Sequence, residues 1–200
     1  MTDEQLIRKY LDGDIEAFNT LVWRWQKPIY NFTLRYFKDR EHAKDATQRV
    51  FVKVFKNLKH LKDSRKFSSW IYQIALNLCK DETKSKYYQT TSSLDELKDS
   101  KNFDVSSETD SSAYAGHNPE NTLERRELRS LLERALEQIP AEQKEVVVMK
   151  EFQGLKFIEI AEILELPINT VKSRMYYGLH ALRKILDKWN IDKEAIAYEL

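Results

Sequence analysis

Two hundred residues give room for one large domain or two small ones; 42% hydrophobic and 12% aromatic residues suffice for a core, and 32% charged residues solvate the surface. Apolar runs such as Val146–Met149 are far too short to span a bilayer, and no signal peptide is expected before the charged N-terminus. The net charge of +1 hides an asymmetry: Lys and Arg outnumber Asp and Glu 18 to 11 over residues 1–86, fall behind 2 to 7 over 87–120, and balance at 13 to 14 over 121–200. A basic front half is a candidate polyanion binder, although a solvated basic face with no partner has the same composition. The single cysteine, Cys79, excludes an internal disulfide and a multi-Cys zinc site. His42, His60, His117 and His180 are scattered without metal-like spacing, so no cofactor or metal is expected. A cytoplasmic protein that is not inserted in a membrane is the expectation.

Only four Gly and four Pro are present, which favours helices over a many-turned β fold. Thr2 caps a first helix, with Gln5 at the capping-box position and Gly13 at its end. A second pattern carries Ala17, Phe18, Leu21, Val22 and Trp25, and Pro28 either kinks it or starts a new helix through Ile29 and Phe32. A third helix is expected near Glu41–Leu58 and a fourth near Ser68–Lys86, with the basic loop Lys59–Lys66 between them. The Ser-, Thr- and Asp-rich stretch Thr90–Asn121 lacks a sustained apolar period and is expected to be a flexible acidic linker with one turn at Leu94–Leu97. After it come a helix near Thr122–Gln138, a Pro140 break, and a helix over Ala141–Phe152 that Gly154 stops. EVVVMK is β-branched enough to suggest a strand, but its setting between AEQK and KEF argues for helix. Helices over Phe157–Leu166 and Thr170–Leu186 flank a short LPIN turn, and WNIDKEAIAYEL adds a short terminal helix. The fold class is therefore all-α: two small helical domains, residues 1–88 and 122–200, joined by linker 89–121.

The last pair of helices carries the first functional signal. On a helical wheel Val171, Met175, Leu179, Leu182, Ile185 and Leu186 fall on one side of the final helix. Lys172, Ser173, Tyr176, Tyr177, His180 and Lys184 fall on the other. Ile160, Ala161 and Leu164 match them from the preceding helix, and Asn169 is expected to cap the second. Two short amphipathic helices on a tight turn form a helix-turn-helix, whose second helix can enter a DNA major groove, although a hairpin inside any bundle shares this periodicity.

In Phe67–Lys86, Trp70, Gln73, Asn77, Lys80 and Lys84 line one stripe, while Ile71, Ala75, Leu76, Leu78 and Cys79 should pack inward. One aromatic, two amides and two lysines suit a single strand through stacking, base-edge hydrogen bonds and phosphate neutralisation. A solvated face with Trp70 half in the core remains the plain alternative. In the third helix Asp45, Gln48, Arg49, Val52 and Lys56 face away from Ala43, Val50, Val54 and Leu58, a mixed exposed face that suits a protein partner.

EIAEILELPINTVKSR (Glu159–Arg174) resembles the helix-turn-helix of bacterial RNA polymerase sigma factors, particularly the extracytoplasmic-function (ECF) group of the sigma-70 family. FSSWIYQIALN resembles the segment with which that group captures a melted −10 element. The resemblance covers both domains in order, leaving out the acidic linker and the last dozen residues. It implies a factor without catalytic residues that binds core RNA polymerase at the β′ coiled coil and β flap and directs promoter-specific initiation. Residues Asn169, Thr170, Lys172, Ser173, Arg174, Tyr176, Tyr177 and His180 would meet double-stranded −35 DNA. Lys62, Ser64, Arg65, Lys66, Phe67, Trp70, Gln73, Asn77, Lys80 and Lys84 would meet single-stranded −10 DNA, with Lys62–Phe67 cradling a flipped base. Asp45, Gln48, Arg49 and Val52 would dock on polymerase; Arg49 stands where the family pattern Asp-x-x-Gln-Glu has glutamate, a charge reversal at a contact position. The family also implies an anti-sigma partner. Arg49 and the tyrosine pair keep open a second reading, a sigma-like interaction module that binds polymerase or an anti-sigma protein and reads promoters weakly. An enzyme is disfavoured by the lack of a Gly-rich phosphate loop, nucleophile motif or metal cluster.

Overall fold

The computed structural model describes residues 1–92, 128 and 130–189. The expected turn at Leu94–Leu97, most of the linker and the terminal helix after Trp189 lie outside the described residues. Every described element is helical, as expected for an all-α chain, and EVVVMK forms no strand.

The first helix, α1 (Asp3–Leu11), starts as its sequence dictates. Thr2 Oγ1 accepts from the Gln5 amide at 3.3 Å, and Gln5 Oε1 accepts from the Thr2 amide at 3.0 Å, closing the capping box. Gly13, at φ +102°, ends the turn in a conformation that an L side chain would resist. Pro28 neither starts a helix nor ends one: α2 runs unbroken over Ile15–Phe37, capped by Asp14. Buried Ile29 and Phe32 just beyond Pro28 supply packing that outweighs the lost backbone bond. The third helix, α3 (Arg40–Asn57), packs on α2 through a buried polar knot. There the Thr33 hydroxyl lies 3.1 Å from that of Thr47, and both hydroxyls lie within bonding distance of the Ala43 carbonyl, at 3.2 and 2.7 Å. Each buried hydroxyl thus has a partner, as burial demands.

The fourth helix, α4 (Phe67–Ser92), continues past the expected Lys86 into the stretch read as linker. Its inward face is the one expected: Ile71, Ala75, Leu76, Leu78 and Cys79 are buried. Burial pushes the Cys79 thiol up to about 12, with the Glu82 carboxylate adding to the effect. Because the thiolate is the nucleophile, Cys79 should stay inert to a thiol reagent at pH 8 in the native chain and react at once after unfolding in guanidinium; fast native labelling would contradict its core placement.

The second helical region includes α5, helical over 130–136 among the described residues, and turns before Pro140. The next helix, α6 (Ala141–Val147), widens into a π turn over Val148–Phe152, where the Gln153 amide bonds back to the Val148 carbonyl at 3.2 Å. Gly154, at φ +66°, stops it. Two further helices, α7 (Phe157–Leu164) and α8 (Ile168–Lys188), complete the region. The buried side chains of both regions run into one continuous core, with α4 packed on α7.

Candidate nucleic-acid interface

The α7–α8 corner forms the expected helix-turn-helix, with a turn of the expected three residues set two positions earlier, at 165–167. The Glu159 carboxylate accepts from the Lys156 amide at 2.7 Å and opens α7. Glu165 then takes the left-handed conformation, φ 55°, and the Leu166 amide bonds back to the Ala161 carbonyl at 3.0 Å, closing the end of the helix. Pro167 is the residue at the start of α8, and its carbonyl accepts from Thr170 and Val171 at 2.9 and 3.2 Å. The expected cap is thus corrected: Asn169 lies inside the first turn and is exposed, because the fixed φ of Pro167 already sets the chain for helix.

Along α8 the buried series is Val171, Met175, Gly178, Leu182 and Leu186. Gly178 was missed by hydrophobic patterning, which places Leu179 in the core; Leu179 is in fact 41% exposed. The cause is a close crossing. A Cβ on Gly178 would sit 2.9 Å from Val147 Cγ2 and 3.3 Å from Gln143 Cβ, so α6 meets α8 at its glycine and the buried arc rotates toward it. The spacing 171–175–178–182 is the sequence signal that could have revealed this.

The opposite face of α8 presents Lys172, Ser173, Tyr176, Tyr177, His180 and Lys184 to solvent. Tyr176 and Tyr177, 68% and 58% exposed, meet edge to face at 5.5 Å, and the Tyr176 ring lies parallel to His180 at 6.5 Å. The Ser173 hydroxyl donates to the Thr170 carbonyl at 2.9 Å. Arg174 lies apart from this surface: it is largely covered and pairs with Glu142 of α6 at 2.5 Å.

In the first region the basic loop is held by two single 3-10 turns, Leu58–His60 and Ser64–Lys66. Asp63 caps the second, and Arg65 grips its carboxylate with both Nε and Nη2 at 3.0 Å, holding the Asp63 carboxyl below its ordinary range. Lys62 and Arg65 point to solvent, and Ser64 is half-buried. Phe67 differs from its expected placement at the DNA surface. At 1% exposed it is a core residue, edge-on to Trp25 at 5.7 Å, and it supports the loop from beneath. Trp70 is half-buried with its ring 6.0 Å from Phe67, while Asn77 and Lys84 are exposed.

Three expected strand contacts already have partners in the second region. Lys66 Nζ donates to Glu162 Oε1 at 2.6 Å, Gln73 Nε2 to Glu165 Oε1 at 3.0 Å, and Lys80 Nζ lies 3.2 Å from Glu145 Oε1. Ser69 adds a bond to Glu162 at 3.1 Å, and the buried Tyr72 hydroxyl donates to Gln153 at 2.9 Å. The Lys66 hydrogen bond draws the Glu162 carboxyl below its ordinary range. These glutamates were not singled out in the sequence, where they are indistinguishable from solvated charge.

On α3, Asp45, Gln48, Arg49 and Val52 are all exposed on one face, joined by Phe55, which sequence analysis passed over. The Arg49 reversal has a local account. Its Nη1 donates to Glu82 of α4 at 2.5 Å, and the other Glu82 oxygen meets His42 Nε2 at 2.5 Å. Arg49 therefore meets an acidic neighbour inside its own region. Among the described residues no helix is long and apolar enough to cross a membrane.

Two helical regions, the second built on a helix-turn-helix with an exposed polar face, define an all-α protein of the helix-turn-helix class. The Sigma-70 region 2 family matches residues 21–87, and the Sigma-70, region 4 family matches residues 129–182. The chain is 30% identical over 182 residues to the ECF RNA polymerase sigma-E factor of Escherichia coli (strain K12), covering 91% of this chain and 93% of the relative. It is 28% identical over 184 residues to the RNA polymerase sigma-H factor of Pseudomonas aeruginosa, with 92% and 93% covered. The fold is similar to that of CnrH in complex with the cytosolic domain of CnrY (TM-score 0.64, 20% identity, 93% of this chain and 97% of that one). It is also similar to the sigma factor RpoE solved with the anti-sigma factor NepR from Bartonella quintana (TM-score 0.67, 16% identity, 86% and 98%). The chain belongs to the ECF group of the sigma-70 family of transcription-initiation factors.

Proposed function

We propose that this chain binds core RNA polymerase in the cytoplasm and directs initiation at promoters it reads at two places. Residues 1–88 form the region 2-like domain, 89–121 the linker, and 122–200 the region 4-like domain. The exposed α8 face, Asn169, Lys172, Ser173, Tyr176, Tyr177 and His180, meets the −35 major groove together with the half-buried Thr170. Arg174 steadies this face through Glu142. The basic loop and the α4 stripe hold the melted −10 strand: Trp70 stacks, Gln73 and Asn77 meet base edges, and Lys62, Arg65, Lys66, Lys80 and Lys84 neutralise phosphates. Asp45, Gln48, Arg49 and Val52, with Phe55 beside them, form the face for the β′ coiled coil, while the C-terminal domain meets the β flap. The chain performs no catalysis of its own. An anti-sigma protein is an expected partner; the sigma factor RpoE of similar fold was solved in complex with the anti-sigma factor NepR.

The observation that carries this reading is the exposed polar face of α8 in one region and the basic loop with the partly exposed α4 stripe in the other, each within a segment matched by its own sigma-70 family model. The Arg49–Glu82 pair gives the reversed charge a counterion inside its own region and does not separate this reading from a module that binds polymerase but reads promoters weakly. Overexpression followed by transcript sequencing tests the reading: start sites should share an upstream two-part motif, and start sites without one would overturn it.

Tyrosine at the α8 surface can bond a phosphate or pack on a thymine methyl but releases no counterion. Tyr177→Arg should therefore steepen the plot of log affinity against log salt for duplex promoter DNA by about one unit. An unchanged slope would mean that residue 177 does not face phosphate.

A further inference from the structure

We infer that α8 selects its duplex through thymine rather than guanine, with the Tyr176 ring packed on a thymine C5-methyl in the major groove. This rests on the assignment of α8 to the −35 element. At about 100° per residue, Asn169, Ser173, Tyr176 and His180 share an arc of about 60°, and Lys172 and Tyr177 flank its centre by about 70° on either side. All six are exposed. A helix lying in the groove turns the middle of such an arc to the base edges and its flanks to the two backbones. The base-facing set is therefore an amide, a hydroxyl, a phenol ring and an imidazole, while Tyr177 stands toward phosphate, as its expected salt response requires.

Guanine offers only acceptors, N7 and O6, to the major groove, and arginine is their commonest specific partner. The base-facing arc of α8 holds none. Arg174 is turned to the far side of the helix, 23% exposed and paired with Glu142 at 2.5 Å. Arg183 lies seven residues beyond Tyr176, about 10 Å further along the axis, where its Nε is 3.8 Å from Asp187. Ser173 commits its hydroxyl proton to the Thr170 carbonyl at 2.9 Å, so toward a base it can only accept. Thymine differs from the other bases by a methyl group at the groove edge, an apolar feature that an apolar surface recognises. Tyr176 supplies that surface. Its ring is 68% exposed near the middle of the arc, and Tyr177 meets it edge to face at 5.5 Å, which limits its swing before DNA arrives.

The test uses the full chain assembled with core polymerase and a promoter duplex bearing the mapped motif. Each thymine of the upstream half, on either strand, is replaced in turn by deoxyuridine, which removes the methyl and nothing else, and binding is measured by competition. One replacement should weaken binding by the parent about three- to fivefold, the effect of one buried methyl. Tyr176→Ala should bind the unmodified duplex more weakly by at least that factor and be indifferent to the same replacement, while Tyr176→Phe, which keeps the ring, should stay sensitive to it. Circular dichroism should show both variants folded, since Tyr176 is exposed. A parent that prefers the mapped duplex over a scrambled one but ignores every replacement overturns the inference and leaves the promoter reading standing. So does a Tyr176→Ala protein as sensitive as the parent, a Tyr176→Phe protein that has lost the sensitivity, or an upstream half without thymine. A parent with no preference for the mapped duplex overturns the promoter reading itself, and the thymine assignment falls with it.

Discussion

Gly178→Leu should unseat α8 from α6, destabilise the protein by about 3 kcal/mol, and eliminate specific duplex binding. Even a single Cβ would press to 2.9 Å from Val147 Cγ2, a β-branched side chain fully buried on α6 with little freedom to turn away. The remaining three carbons of leucine add to a crossing already too close for the first, so the helices should part and expose Val171, Met175 and Leu182. Gly178→Ala is the instructive intermediate. Alanine gains about 1 kcal/mol in helix propensity, which offsets part of an overpacking cost of about 1–3 kcal/mol. Urea melting should therefore order the three proteins Gly, then Ala, then Leu. A leucine variant as stable as the parent would mean that α8 does not pack on α6 through this glycine.

Trp70→Ala combined with Asn77→Ala should cost promoter-specific transcription about 2–4 kcal/mol, a loss of roughly 30- to 1000-fold, without unfolding the chain. Stacking of one base on an aromatic ring contributes about 1–3 kcal/mol by alanine substitution, and one base-edge hydrogen bond about 1 kcal/mol. Asn77 is exposed and its removal opens no cavity. Trp70 is half-buried beside Phe67, so part of its loss is packing; Trp70→Phe retains a ring and should recover most of the activity. Measuring both variants in the polymerase-bound state removes any influence of the α4–α7 contact on strand access. Equal transcription by the double variant and the parent would remove these residues from the strand site.

Much of this architecture was legible in the residues because local rules and packing agree. Thr2 and Gln5 form their capping box, the inward set on α4 is buried as its wheel directs, and the polar α8 face is exposed. The failures share one cause: patterning sees a single helix, whereas burial depends on its neighbour. Leu179 reads as core and is exposed because the partner helix crosses at Gly178. Phe67 begins a helix beside a basic loop and reads as a surface ring, yet Trp25, distant in sequence, covers it. Of the two readings of Pro28, a kink or a new helix, the second falls, because flanking burial carries α2 through it. The glutamates facing Lys66, Gln73 and Lys80 were illegible for a related reason, since nothing local distinguishes a paired surface carboxylate from a solvated one. The same holds for Arg49: its charge conflicts with the family pattern until Glu82, on another helix, comes within 2.5 Å.

In the proposed function this chain confers promoter-specific initiation on polymerase through two separate DNA-reading faces. Run-off transcription with purified core polymerase and a template bearing the mapped upstream motif tests it most directly. A discrete transcript should appear only when the chain is added, and it should vanish when either half of the motif is scrambled. Binding to core polymerase without a promoter-specific transcript would contradict the account.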